Sequence, residues 1–153
     1  MEFVGALIGA IFGAVASFAL SEYSKHKNEH DRVFAALRAE VKLNLDVAKD
    51  VCDANGREIN GKYQIKTGGW YEIIPFSETA WMAVMSTGAL SHLHPDIIEP
   101  LSCAYAMVRR VNYIAVKMQY GRLGKWDVKE YTKRVLNSKR DLREALAALD
   151  KYH

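Results

Sequence analysis

Arg110, Tyr113, Lys117 and Tyr120 recur at intervals of 3, 4 and 3 residues, so on a helix they share one face. Arg109 stands beside them, and no acidic residue occurs between Glu99 and Asp127. Cations alternating with aromatic rings on one stripe can hold an anionic group. That group would be a lipid headgroup, a nucleotide-like messenger or a nucleic-acid backbone. No glycine-rich phosphate loop accompanies the stripe. The same residues therefore also fit a solvated face whose long side chains lie over a core. Arg109, Arg110, Tyr113, Lys117 and Tyr120 are the candidate anion-binding set.

Other chemistry finds less support. His26 and His30 have the i, i+4 spacing that can bind a metal on a helix, and His92 and His94 precede Pro95, where His94 can cap a helix. A complete site needs three or four ligands, and no H-E-x-x-H or Cys/His quartet is present. No metal and no cofactor are expected. There is no G-x-S-x-G, Walker loop or G-x-G-x-x-G, so no catalytic residue is assigned and no enzyme is expected. Glu22, Glu29, Glu40, Asp46 and Asp50 fall on mostly polar helix faces and read as surface charge. Asn44 borders an apolar stripe and suits a role in fixing packing register. Cys52 and Cys103 form no C-x-x-C pair and fit buried small side chains in a reducing compartment.

The elements that would carry these residues begin with an 18-residue run without charge, Phe3 to Leu20. As a helix it is roughly 27 Å long, near the ~30 Å hydrocarbon core of a bilayer. Gly5, Gly9, Gly13 and Ser17 lie four apart in it and form a ridge for close helix packing. The reading is a retained membrane anchor, weighed against a cleaved signal peptide and a buried core helix. Lys25, Lys27 and Arg32 flank its C-terminal side and no Lys or Arg its N-terminal side. A single pass through the cell inner membrane with a cytoplasmic C-terminal domain is expected.

The organisation expected is all-α: a transmembrane anchor at 1–21, a polar neck at 22–32 and an antiparallel helical bundle at 33–153. A long irregular loop at 55–76 interrupts the bundle, with Asn60-Gly61 able to turn a small hairpin. Phe34, Leu37, Val41, Leu45, Ala48 and Val51 form the apolar stripe of the first bundle helix. A short helix carrying Trp81, Val84 and Met85 is capped by Ser77 and closed by Gly88. Pro95 opens the next, which bears Leu101, Ala104, Tyr105, Val108, Val111, Ala115 and Met118, with a kink or restart expected at Pro100. Asp127 caps the last, with Val128, Tyr131, Val135, Leu142, Ala145, Leu146 and Leu149. The net charge of +3 is mild and excludes a bulk polyelectrolyte role.

Leu37 to Leu45 (LRAEVKLNL), Trp81, Ser86 to Leu93 (STGALSHL), Leu101, Tyr105 and Asn112 follow one another after a single N-terminal apolar run. This pattern resembles a loose group of small, uncharacterised prokaryotic membrane-anchored helical proteins, over residues 3–115. The resemblance implies an architecture and no reaction. The expected function is a non-enzymatic accessory or scaffold subunit of a membrane assembly, in contact with the lipid bilayer and joined as a homo-oligomer or to partner membrane subunits. The alternative is a ligand-gated membrane effector or pore whose bundle senses an anionic ligand or lipid headgroup. A nucleic-acid partner is not expected.

Overall fold

The structure is a computed structural model that describes residues 2–59, 62–66, 73–120 and 125–152, without the side chains of residues 2–20, 22, 23, 26 and 125–127. Helix α1 (Glu2–Asn55) is followed by a hairpin of β1 (Gly56–Ile59) and β2 (Lys62–Ile65). An extended stretch at 73–78 leads into α2 (Thr79–Thr87), a 3-10 turn (Ala89–His92), α3 (Pro95–Tyr120) and α4 (Lys125–Lys151).

No glycine or proline interrupts residues 14–55, and α1 runs through them unbroken. It stops where Asn55-Gly56 predicts. A Cβ on Gly56 would lie 2.5 Å from the Gln64 carbonyl oxygen and 2.6 Å from the Tyr63 ring, so only glycine lets the two strands close there. The strands pair antiparallel with Gly56 opposite Ile65 and Ile59 opposite Lys62. Gly88 ends α2 with φ of 72°, the left-handed conformation that favours glycine. Pro100 sits inside α3, which continues past it as one helix.

The bundle is built from α1, α3 and α4, with α4 packed against both others. Phe34, Leu37, Val41, Ala48 and Val51 supply its α1 face, Leu101, Ala104, Val108, Val111 and Ala115 its α3 face, and Val135, Leu142, Ala145 and Leu149 its α4 face. These are the stripes expected from periodicity, save that Leu45 and Leu146 lie at the core margin. Each fully buried Leu or Val contributes about 1.5–3 kcal/mol relative to exposure. Arg38 Nε reaches Asp150 Oδ1 at 2.7 Å and ties α1 to the end of α4. Tyr152 bonds Asp96 and stacks on His94, pinning the residue after α4 to the start of α3, where His94 Nδ1 accepts the Asp96 N–H at 3.3 Å.

Several expectations are corrected. The single transmembrane helix does not stand: among the described residues no helix is long and apolar enough to cross a membrane. Where α1 side chains are described, Lys25, Lys27, Glu29, Arg32, Arg38, Glu40, Lys42, Asp46 and Lys49 recur along it, and no 18-residue apolar window survives such spacing. The glycine ridge of Gly5, Gly9, Gly13 and Ser17 lies outside the described side chains. The chain is not all-α, because the 55–76 loop opens with a true two-stranded sheet, although Asn60 and Gly61 lie outside the described residues. Met85 is exposed rather than packed. Cys52 is buried as expected but Cys103 is exposed. Helix α4 begins at Lys125, so Asp127 lies within it instead of capping it.

Candidate functional site

The polar residues cluster around residues 74–81, which cross the bundle as an extended strap and then start α2. A strap outside a sheet has no strand to satisfy its peptide groups, and side chains from three helices do so instead. Tyr131 of α4 donates its hydroxyl to the Ile74 carbonyl at 2.9 Å and accepts the Ile74 N–H at 3.1 Å. Asn112 of α3 does the same for Phe76, with Oδ1 accepting its N–H at 2.7 Å and Nδ2 donating to its carbonyl at 2.9 Å. Asn44 of α1 grips Ser77 with two bonds of 2.8 Å. Each amide thus copies the two-bond pairing that a neighbouring strand would give.

Glu40, one turn before Asn44, completes the set. It is only 7% exposed. Oε2 accepts the Ser77 hydroxyl at 2.7 Å and the Ala80 N–H at 2.8 Å. Oε1 accepts the Tyr105 hydroxyl at 2.6 Å and the Trp81 N–H at 3.2 Å. Four donors occupy the roughly four lone-pair sites of a carboxylate. The N-cap position of α2 is Glu78, whose side chain makes no cap bond; the expected Ser77 accepts only the Thr79 N–H, at 3.5 Å, and an acid reaching across from α1 takes the next two. Glu40 sits at the positive end of α2, where a carboxylate is favoured. Burial pushes the Glu40 carboxyl up, but the bonds from Tyr105, Ser77, Ala80 and Trp81 outweigh it and hold its pKa below the usual range. Burial, then the bond to Glu40, pushes the Tyr105 hydroxyl up. Trp81 and Tyr105 stack with ring centres 4.9 Å apart and planes 4° from parallel. An aromatic pair of this kind adds about 0.5–1.5 kcal/mol beyond its buried area.

The expected anion-binding residues divide. Arg109 is drawn to α2: its Nε donates to Glu78 Oε2 at 2.8 Å and its Nη2 meets Met82 Sδ at 3.1 Å. Glu78 also accepts from Asn112 Nδ2 at 3.0 Å. Arg110, Tyr113, Lys117 and Tyr120 remain together on the outer face of α3, and Lys117 Nζ lies 4.5 Å from the Tyr113 ring centre. Arg109, Arg110, Tyr113 and Ile114 line a shallow depression of about 570 Å³ with Arg134 of α4. Arg134 was not foreseen, since nothing in the sequence brings α4 beside this stripe. Its Nε is held by Glu130 Oε1 at 2.7 Å. Four cations thus meet two carboxylates here, and the face keeps a positive balance that suits an anionic surface.

Sequence reasoning placed Asn44 correctly beside the core but placed Glu40 on the surface. The missed signal is the run Leu37, Glu40, Val41, Asn44, an i, i+3, i+4, i+7 stripe with two polar members four apart. No protein-family model, curated protein or solved structure matches the chain.

Proposed function

We propose that this protein is a non-enzymatic, self-associating scaffold or accessory subunit, which acts by holding surfaces together. One observation carries the reading: the distribution of polar and apolar groups is inverted relative to a reactive site. The buried side chains Glu40, Asn44 and Tyr131 and the half-buried Asn112 are taken up by the strap and by α2. Glu40, the acid whose environment most suggests chemistry, has no lone pair left for a substrate. Meanwhile Leu43, Met82, Met85, Tyr113, Val116 and Tyr120 are between 49% and 88% exposed. Tyr, Met and Arg in contact with solvent are the residue types enriched at protein interfaces.

Native mass measurement of the purified full-length chain over a concentration series tests this reading. A discrete multiple of the chain mass is expected. A monomer at every concentration overturns it.

A further inference from the structure

The inference rests on the self-associating reading and assigns the surfaces that meet. We propose that copies of this chain join head to tail: the outer stripe of α1 on one protomer, Leu43, Asp46, Asp50 and Asp53, docks on the outer stripe of α3 on the next, Arg110, Tyr113, Lys117 and Tyr120.

The two stripes have the same spacing. Each steps by 3, 4 and 3 residues, so each is a straight ridge about 15 Å long. All eight residues are exposed. Their charges are opposite, and no ion pair engages Asp46, Asp50, Asp53, Arg110 or Lys117 among the described residues. Lys42 and Lys49 border the α1 stripe along the edge formed by Asp46 and Asp53, while Leu43 and Asp50 form its other edge. Each ridge also carries apolar surface that water leaves unsatisfied: Leu43 is 54% exposed and Tyr113 is 62% exposed. Aliphatic and aromatic contact at the centre with charge pairs at the rim is the usual anatomy of a protein interface.

Geometry and charge choose the arrangement. Within one protomer α1 and α3 meet through Glu40 and Tyr105, and no ion pair joins their outer stripes among the described residues. A protomer therefore does not satisfy its own stripes. Symmetric pairing of α3 with α3 sets Arg110 and Lys117 against their own copies with no acid in either stripe, and repels, whereas α1 with α1 sets aspartates together with Lys42 and Lys49 beside them. The heterologous contact gives the α3 cations the acidic partners their own stripe lacks, and such contacts propagate into rings or filaments. The depression beside Arg110 is open and shallow, whereas small-ligand sites enclose most of their ligand. Such a depression suits an anion presented on a surface, as the aspartates of α1 are.

The experiment uses the full-length chain in sedimentation velocity at low and high salt. It compares the wild type, Arg110→Glu with Lys117→Glu, Asp46→Lys with Asp50→Lys, and an equimolar mixture of the two variants. Wild type is expected to associate, more weakly at high salt. Each variant alone should lose roughly tenfold or more in association constant. The mixture should recover association, because both of its unlike contacts are again of opposite charge. That recovery also shows that the variants fold. A wild type that associates while the variants match it, or a mixture that stays dissociated, overturns the head-to-tail contact alone. A wild type that never associates overturns the self-associating reading as well.

Discussion

Replacing Glu40 should destabilise the whole bundle. In Glu40→Ala four donors lose their acceptor: the Ser77 hydroxyl, the Ala80 and Trp81 N–H groups and the Tyr105 hydroxyl. Ser77 and Ala80 are half-buried and can turn to water. Trp81 and Tyr105 are buried, and their donors stay orphaned at about 1–3 kcal/mol each. The vacated space and the loss of the α2 cap add to this, giving about 4 kcal/mol, close to the usual cost of breaking a buried charged network. That is a large share of the roughly 5–15 kcal/mol that holds a domain folded. Glu40→Gln keeps two acceptor sites but points its amide at two donors, and should cost about 2–3 kcal/mol. Removing one of those donors with Tyr105→Phe in the same chain should recover about 1 kcal/mol. Urea unfolding followed by far-UV circular dichroism measures all three, with the midpoint falling and the slope unchanged. A Glu40→Gln chain within about 0.5 kcal/mol of wild type would refute the argument that this acid organises the strap.

Two further outcomes follow from the same groups. Because the folded pKa of Glu40 lies below its ordinary value of 4.5, its contribution is present above that value and is lost as pH falls through the folded one. The urea midpoint should therefore drop on acidification below about pH 4.5, and Glu40→Gln should flatten that drop; parallel profiles would contradict it. Cys103 is exposed, while Cys52 is buried with its thiol pushed up by that burial. A thiol reagent should label one cysteine per folded chain and both after denaturation, and rapid labelling of both in the folded state would count against the packing of Cys52.

The helices were legible because their apolar residues repeat. Leu101, Ala104, Tyr105, Val108, Val111 and Ala115 recur with the period of a helix, and all are buried. Gly88 and Pro95 marked boundaries for equally local reasons. The strap was not legible. Its partners lie 33, 36 and 57 residues away in sequence, and no local period records such contacts. Asn44 was recognised because it breaks an apolar stripe. Glu40 was not, because a glutamate at a stripe margin looks like surface until the helix it caps is in place. The cationic stripe was visible from spacing, but the capture of Arg109 by Glu78 depends on where α2 lies. The apolar run at 3–20 suggested a span by composition, and composition does not fix what a helix traverses.

The three grips on the strap give the bundle a property that apolar packing lacks. Asn44, Asn112 and Tyr131 each stand on a different helix, and each must meet one particular peptide group between residues 74 and 77. A helix advances about 5.4 Å per turn, while a hydrogen bond fails after a displacement of well under 1 Å. In a purely greasy core, one leucine slides into the place of another and the helices hold at several offsets. Here a slip of any one helix by a turn unfastens its grip and strands a peptide group. The strap thus works as a vernier, a short ruler against which three long helices are aligned at once.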